Sequence, residues 1–150
     1  MGRLEMIVTP AFSKMPSPEQ VRNLLGFLPK FEKMKPKEFA KVLREPRRSN
    51  GEYIVGHLHY HRAVHDFQNA CYKNGFIHSF DWGAWTFKAR RYFDDSAADV
   101  TRAKLLTCVK LITAHIRAER LCDGHLQDVF NSGQLIAILR RLKELSLKRA

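Results

Sequence analysis

"DSAADVTRAKLLTCVKLITAHIRAERL", Asp95–Leu121, is the stretch whose reading decides the fold class. Leu105, Val109, Ile112 and Ile116 recur at the spacing of one helical face, while Lys104, Lys110 and Arg117 fall on the outward side. The pattern predicts the longest helix of the chain. Downstream, "DGHLQDVFNSG" reads as a short helix starting at Asp123 and stopping at Gly133. Asp123 is expected to be its N-cap, accepting from the backbone N–H of Leu126 or a neighbour, so that Asp123→Ala would cost about 1 kcal/mol. Gly124 would then allow a neighbouring element to come close. "QLIAILRRLKELSLKRA" closes the chain as an amphipathic helix with Leu135, Ile138, Leu139, Leu142 and Leu145 inward.

Upstream the helical signals continue. "DWGAWTFKARRYF" reads as a helix capped by Asp81, and a further helix runs from about His61 to Asn74, with Val64, Phe67 and Cys71 inward and Gly75 ending it. In "SPEQVRNLLGFL", Ser17, Pro18 and Gln20 sit where a cap, a first helical residue and a capping box belong, and Val21, Leu24, Leu25 and Leu28 follow at helical spacing. "PKEFAKVLREP" reads as a second, shorter helix between Pro36 and Pro46, with Phe39, Val42 and Leu43 buried. "RRSNGEY" is a turn at Asn50-Gly51, and residues 52–60 read as one short extended segment. If it is extended, Ile54, Leu58 and Tyr60 share one side, and His57 and His59 the other. The expected fold class is mostly α, a single compact multi-helix domain over residues 1–150, with 1–16 an irregular segment.

A hydrophobic fraction of 45% and a charged fraction of 27% are those of a globular protein and argue against wholesale disorder. Three widely spaced cysteines, Cys71, Cys108 and Cys122, argue against a disulfide framework and for a reducing compartment. No apolar run suits a signal peptide or a spanning helix, so a cytoplasmic location without a membrane partner is expected. The net charge of +11 is uneven: +6 over residues 1–50, −1 over 51–100 and +6 over 101–150. Lys30, Lys33, Lys35, Lys37, Lys41, Arg44, Arg47 and Arg48 crowd one stretch. Such basic flanks suit a nucleic acid or an acidic protein partner, or serve solubility alone.

"GHLHYHRAVH" holds four of the seven histidines, and His57, His59, His61 and His65 are candidate metal ligands. No Cys-x-x-Cys or His-Glu-x-x-His accompanies them, and no cofactor is expected. The alternatives are solvated imidazoles, or a surface whose positive charge rises on acidification.

Two segments carry a family resemblance. Phe76, Ile77, Phe80, Asp81, Trp82 and Trp85 form an "FI-x-x-FDW-x-x-W" element. Arg120, Cys122, Asp123, Gly124, His125 and Leu126, then Phe130, Ser132 and Gly133, precede a closing helix rich in Leu and Arg. In these the chain resembles the DUF6508 family, small bacterial and archaeal proteins of unknown function. The likeness is good from about residue 60 to 145 and looser upstream, and Leu121 stands where the family usually has an aromatic. The resemblance implies a fold class and a focal site but no activity.

At that focal site Cys122, beside a helix start and near His125, has the ingredients of an activated nucleophile, with Asp123 and Asp81 as further catalytic candidates. The structural alternative is a packed thiol and a histidine bonded to a carbonyl. Trp82 and Trp85 are either a core anchor or an aromatic wall beside Lys88, Arg90 and Arg91, and Arg120 would pair with Asp123 or Asp81. The element from Phe80 to Trp85 and the bend at Cys122 are expected in one neighbourhood. Three functions follow: a binding module with basic flanks, an enzyme centred on Cys122, His125 and Asp123, or a self-assembling protein using its amphipathic C-terminal helix.

Overall fold

Ser17 Oγ accepts from the Gln20 N–H at 3.2 Å, and Gln20 Oε1 accepts from the Ser17 N–H at 2.8 Å, a closed capping box that starts α1 (Pro18–Leu25). The computed structural model describes residues 14–45, 47–54, 56–94 and 99–149, so the irregular segment expected over 1–16 lies outside them except at its last three residues. Helix α1 buries Val21 and Leu24, and α2 (Leu28–Lys33) buries Leu28 and Phe31.

The second helix expected over 36–46 does not form. Only α3 (Pro36–Phe39) is helical, and the chain then enters strand β1 (Ala40–Arg44). Phe39 is buried as expected, but Val42 and Leu43 are 54% and 60% exposed. The reason is long-range: β1 pairs antiparallel with β4 (His57–Tyr60), and that ladder overrides the local helical pattern. Inside it, β2 (Arg47–Ser49) pairs with β3 (Glu52–Ile54) across the Asn50-Gly51 turn, whose two residues have φ of 51° and 79°. The single extended segment expected over 52–60 is therefore half of a two-ladder ribbon. Along β4 the expected alternation holds, with Tyr60 buried and His57 and His59 exposed.

Helix α4 (Arg62–Lys73) starts where His61 Nδ1 accepts from the Ala63 N–H at 3.0 Å, and the chain turns out of it at Gly75, φ +75°. Asp81 Oδ1 caps α5 (Trp82–Lys88) by accepting from the Ala84 N–H at 3.0 Å, and α6 (Arg91–Asp94) follows. Helix α7 (Leu105–Leu121) starts well inside the stretch expected to be helical: Asp99 and Val100 are helical, but the chain leaves that helix through a turn at Thr101 and Arg102, burying Val100 and Ala103, before α7 begins. From Cys108 to Ile116 its residues are buried apart from Lys110, so neighbours wrap α7 on nearly every side. It packs against α5, α8 (His125–Asn131) and α9 (Gln134–Arg149). Helix α9 turns Leu135, Ile138, Leu139 and Leu142 inward, with Leu145 half-buried.

Aromatic rings lock the N-terminal helices to α8. Phe39 stacks on Phe130 at 4.1 Å between centroids, and Phe31 meets Phe39, Phe67 and Phe130 edge-on. Each such pair adds about 1 kcal/mol beyond the area it buries. The fold is mostly helical, with small two-stranded sheets confined to the ribbon. Among the described residues no helix is long and apolar enough to cross a membrane.

Candidate functional site

Two polar centres lie where α7 bends into α8. The first is Glu119, in the last turn of α7. Its Oε1 accepts from the Tyr60 hydroxyl at 2.7 Å and from the Leu126 N–H at 2.8 Å, and its Oε2 accepts from the Gly124 N–H at 3.3 Å. The carboxylate thus satisfies donors at the start of α8 that its own residues leave open. Burial, then the neighbouring Glu119, pushes the Tyr60 phenol well above its ordinary pKa.

This overturns Asp123 as the cap. The N-cap position is Gly124, φ +97°, and Asp123 is exposed. The expected donor, Leu126 N–H, is correct, but its acceptor comes from the preceding helix. Gly124 does permit a close approach, since a Cβ there would lie 3.0 Å from Leu58 Cδ1 on β4.

The second centre is a chain of buried amide and imidazole groups. Gln134 Nε2 donates to the carbonyl oxygen of Tyr92, and His115 Nε2 meets Gln134 Oε1. His115 Nδ1 lies 2.9 Å from His125 Nε2. A carbonyl oxygen only accepts, which fixes the Gln134 amide and with it every proton along the chain. His115 must donate from Nε2 and accept at Nδ1, and His125 must donate from Nε2. His125 Nδ1 is then left as the acceptor nitrogen of its ring. Burial, reinforced by His125, pushes His115 down to about 3. Burial also lowers His125, against the pull of Glu119 and Asp128.

The rings continue outward. Phe93 meets His115 at 5.2 Å, Trp85 meets Phe93 at 6.1 Å and Phe80 meets Trp85 at 6.0 Å, all edge-on. The Phe80–Trp85 element is therefore joined to the α7–α8 bend through Phe93 and His115. Lys110 lies over both Phe80 and Trp85, at 5.8 and 5.7 Å. Trp82 is half-buried and Lys88 exposed. Arg90 sits over Phe87, and Arg91 over Tyr92 at 4.9 Å while donating to its hydroxyl at 3.1 Å.

Cys122 is an exposed free thiol, and Cys71 and Cys108 are buried free thiols. The His125 ring pairs with His115 rather than with the thiol. Arg120 reaches the Tyr72 hydroxyl at 3.5 Å, and among the described residues it forms no ion pair with Asp123 or Asp81. Asp81 is engaged as the cap of α5.

The histidine cluster divides by element. His61 caps α4, and His65 meets Tyr60 edge-on at 6.4 Å. His57, His59 and His65 line one open recess of about 430 Å³ with Glu119, Arg120 and Asp123. Among the described residues no group of three or more side chains is arranged to hold a metal ion.

Sequence reasoning missed Glu119, His115, Gln134 and the polar role of Tyr60. One signal was visible: Thr113 and His115 are polar residues inside the apolar run of α7. Thr113 Oγ1 donates to the Phe76 carbonyl at 2.8 Å and accepts from the His78 N–H at 3.2 Å, so both polar groups tie α7 to other segments.

No curated protein and no solved structure matches the chain. A family model described as "Family of unknown function (DUF6508)" matches residues 16–148, which take in the ribbon and both polar centres as well as the two sequence elements. The chain belongs to the DUF6508 family.

Proposed function

We propose that this protein is a nucleic-acid-binding module of the cytoplasm that holds phosphates with its basic ribbon. One observation carries the reading. Every described residue from Lys41 to Tyr53 is exposed, and Lys41, Arg44, Arg47 and Arg48 are among them. In the outer ladder Arg48 stands opposite Tyr53, which is 60% exposed, so a guanidinium and an aromatic side chain are presented at the same level of the ribbon. A two-stranded ribbon is one of the two elements that fit a major groove, and arginines and lysines supply the sequence-independent affinity. The three free thiols suit a reducing compartment.

Fluorescence anisotropy with a labelled oligonucleotide tests the reading. Four phosphate contacts would weaken binding by about a hundredfold between about 50 and about 200 mM salt. The double substitution Arg47→Glu and Arg48→Glu should abolish most of the affinity while circular dichroism stays unchanged. No binding at the lowest salt would exclude nucleic acid and turn the ribbon toward an acidic protein.

A further inference from the structure

We propose that polyanion binding by the ribbon is coupled to proton uptake at His57 and His59. This inference rests on the nucleic-acid reading and names how that same surface is regulated.

The register of the inner ladder sets Lys41 opposite His59 and, across a β-bulge between Val42 and Arg44 that brings the bulged residues to one side, Arg44 opposite His57. Opposed residues on an antiparallel pair share a face, with Cβ atoms roughly 5 Å apart. His57 and His59 are two residues apart and so lie on the same face, and all four side chains are exposed. The other face carries Ala40 and Tyr60, both buried, with Leu58 half-buried. One surface of the ribbon therefore presents two permanent cations, Lys41 directly across from His59 and Arg44 beside His57 at the bulge.

The imidazole is the side chain whose charge changes between about pH 5 and 8. Protonation turns the face from two cations into four, and without a ligand that crowding is repulsive. A phosphate chain relieves the repulsion. Linkage then requires that phosphates raise proton affinity and that protons raise phosphate affinity by the same factor.

The surrounding charges support this sign. Glu38, Lys41, Arg62 and His61 border His59 from α3, β1 and the start of α4. Arg44, Glu45 and Asp123 border His57. His65, Glu119 and Arg120 share the recess behind both imidazoles. Glu119 already accepts from Tyr60 and two backbone N–H groups, and Glu38 accepts from the Lys35 N–H. Glu45 and Asp123 remain as the counter-charges beside Arg44 and His57, two carboxylates against the two cations and two imidazoles of the face.

The test repeats the oligonucleotide titration at about pH 8 and about pH 6 over a range of salt, on the wild type and on a His57→Gln, His59→Gln double variant. Both sites are exposed, and circular dichroism confirms that the variant is folded. For the wild type, affinity at the lower pH should rise roughly tenfold, and the salt slope should steepen by about 2, one unit per imidazole recruited to a phosphate. The variant should bind with a slope and affinity that no longer change with pH. Wild-type binding that is independent of pH would overturn the coupling and leave the ribbon reading standing. A pH dependence that persists in the variant would overturn the assignment to these two imidazoles. No binding at either pH would overturn both readings together.

Discussion

Glu119 holds three donors from two other parts of the chain, and its loss leaves them in different conditions. The Gly124 N–H is half-buried, but the Leu126 N–H and the Tyr60 hydroxyl belong to buried residues. A buried donor without a partner costs about 1–3 kcal/mol. Glu119→Ala should therefore lower the unfolding free energy by about 2–4 kcal/mol, read from the urea midpoint. Glu119→Gln keeps one carbonyl oxygen and should lose about half as much. An Ala variant within about 0.5 kcal/mol of wild type would show that water replaces the carboxylate. This residue was not legible in the sequence because a cap is sought just before a helix. Here the acceptor lies seven residues before its Leu126 partner, at the end of another helix, and its third donor is 59 residues away at Tyr60.

Among the elements, Gly124 and Gly133 bracket α8 with left-handed backbones, φ +97° and +84°, but their surroundings differ. A Cβ at Gly124 would meet Leu58 Cδ1 at 3.0 Å, whereas one at Gly133 would meet nothing within 4 Å. Gly133→Ala should cost about 1 kcal/mol from backbone strain alone, and Gly124→Ala about 1 kcal/mol more, because β4 must yield as well. Equal losses in thermal or urea unfolding would mean that Leu58 moves aside freely. Elements of this kind show what the sequence could convey. Helices α1 and α5 carry their own caps, Ser17 and Asp81, within three residues of the N–H they satisfy, and both were readable. The Ala40–Arg44 strand was not, because its state depends on a partner at His57–Tyr60 and its local pattern also fits a helix. For the same reason the outward cationic face of the ribbon could not be seen: Lys41 and His59 are neighbours only through the register.

Across the whole molecule, the His115–His125–Gln134 chain makes the packing of α7, α8 and α9 sensitive to acid. In an unfolded chain an imidazole binds its proton near pH 6.5, but folded His115 resists protonation down to about 3. Between those values the unfolded state carries the extra proton, so stability is full above about pH 6.5 and is lost as pH falls toward 3. His125, also lowered, acts in the same direction. Each group still neutral in the folded state removes up to about 1.4 kcal/mol per pH unit. His115→Gln keeps a polar side chain facing Gln134 and His125 but cannot take up a proton. It should be less stable than wild type at pH 7, because the imidazole geometry is lost. Its unfolding free energy should fall less steeply on acidification, by up to one proton's worth of slope between about pH 6.5 and about pH 4.5. Urea unfolding at half-unit intervals of pH reads both quantities. A variant whose slope equals that of wild type would mean that His115 is protonated in the folded protein, and the proton order derived from the Tyr92 carbonyl outward would then be wrong.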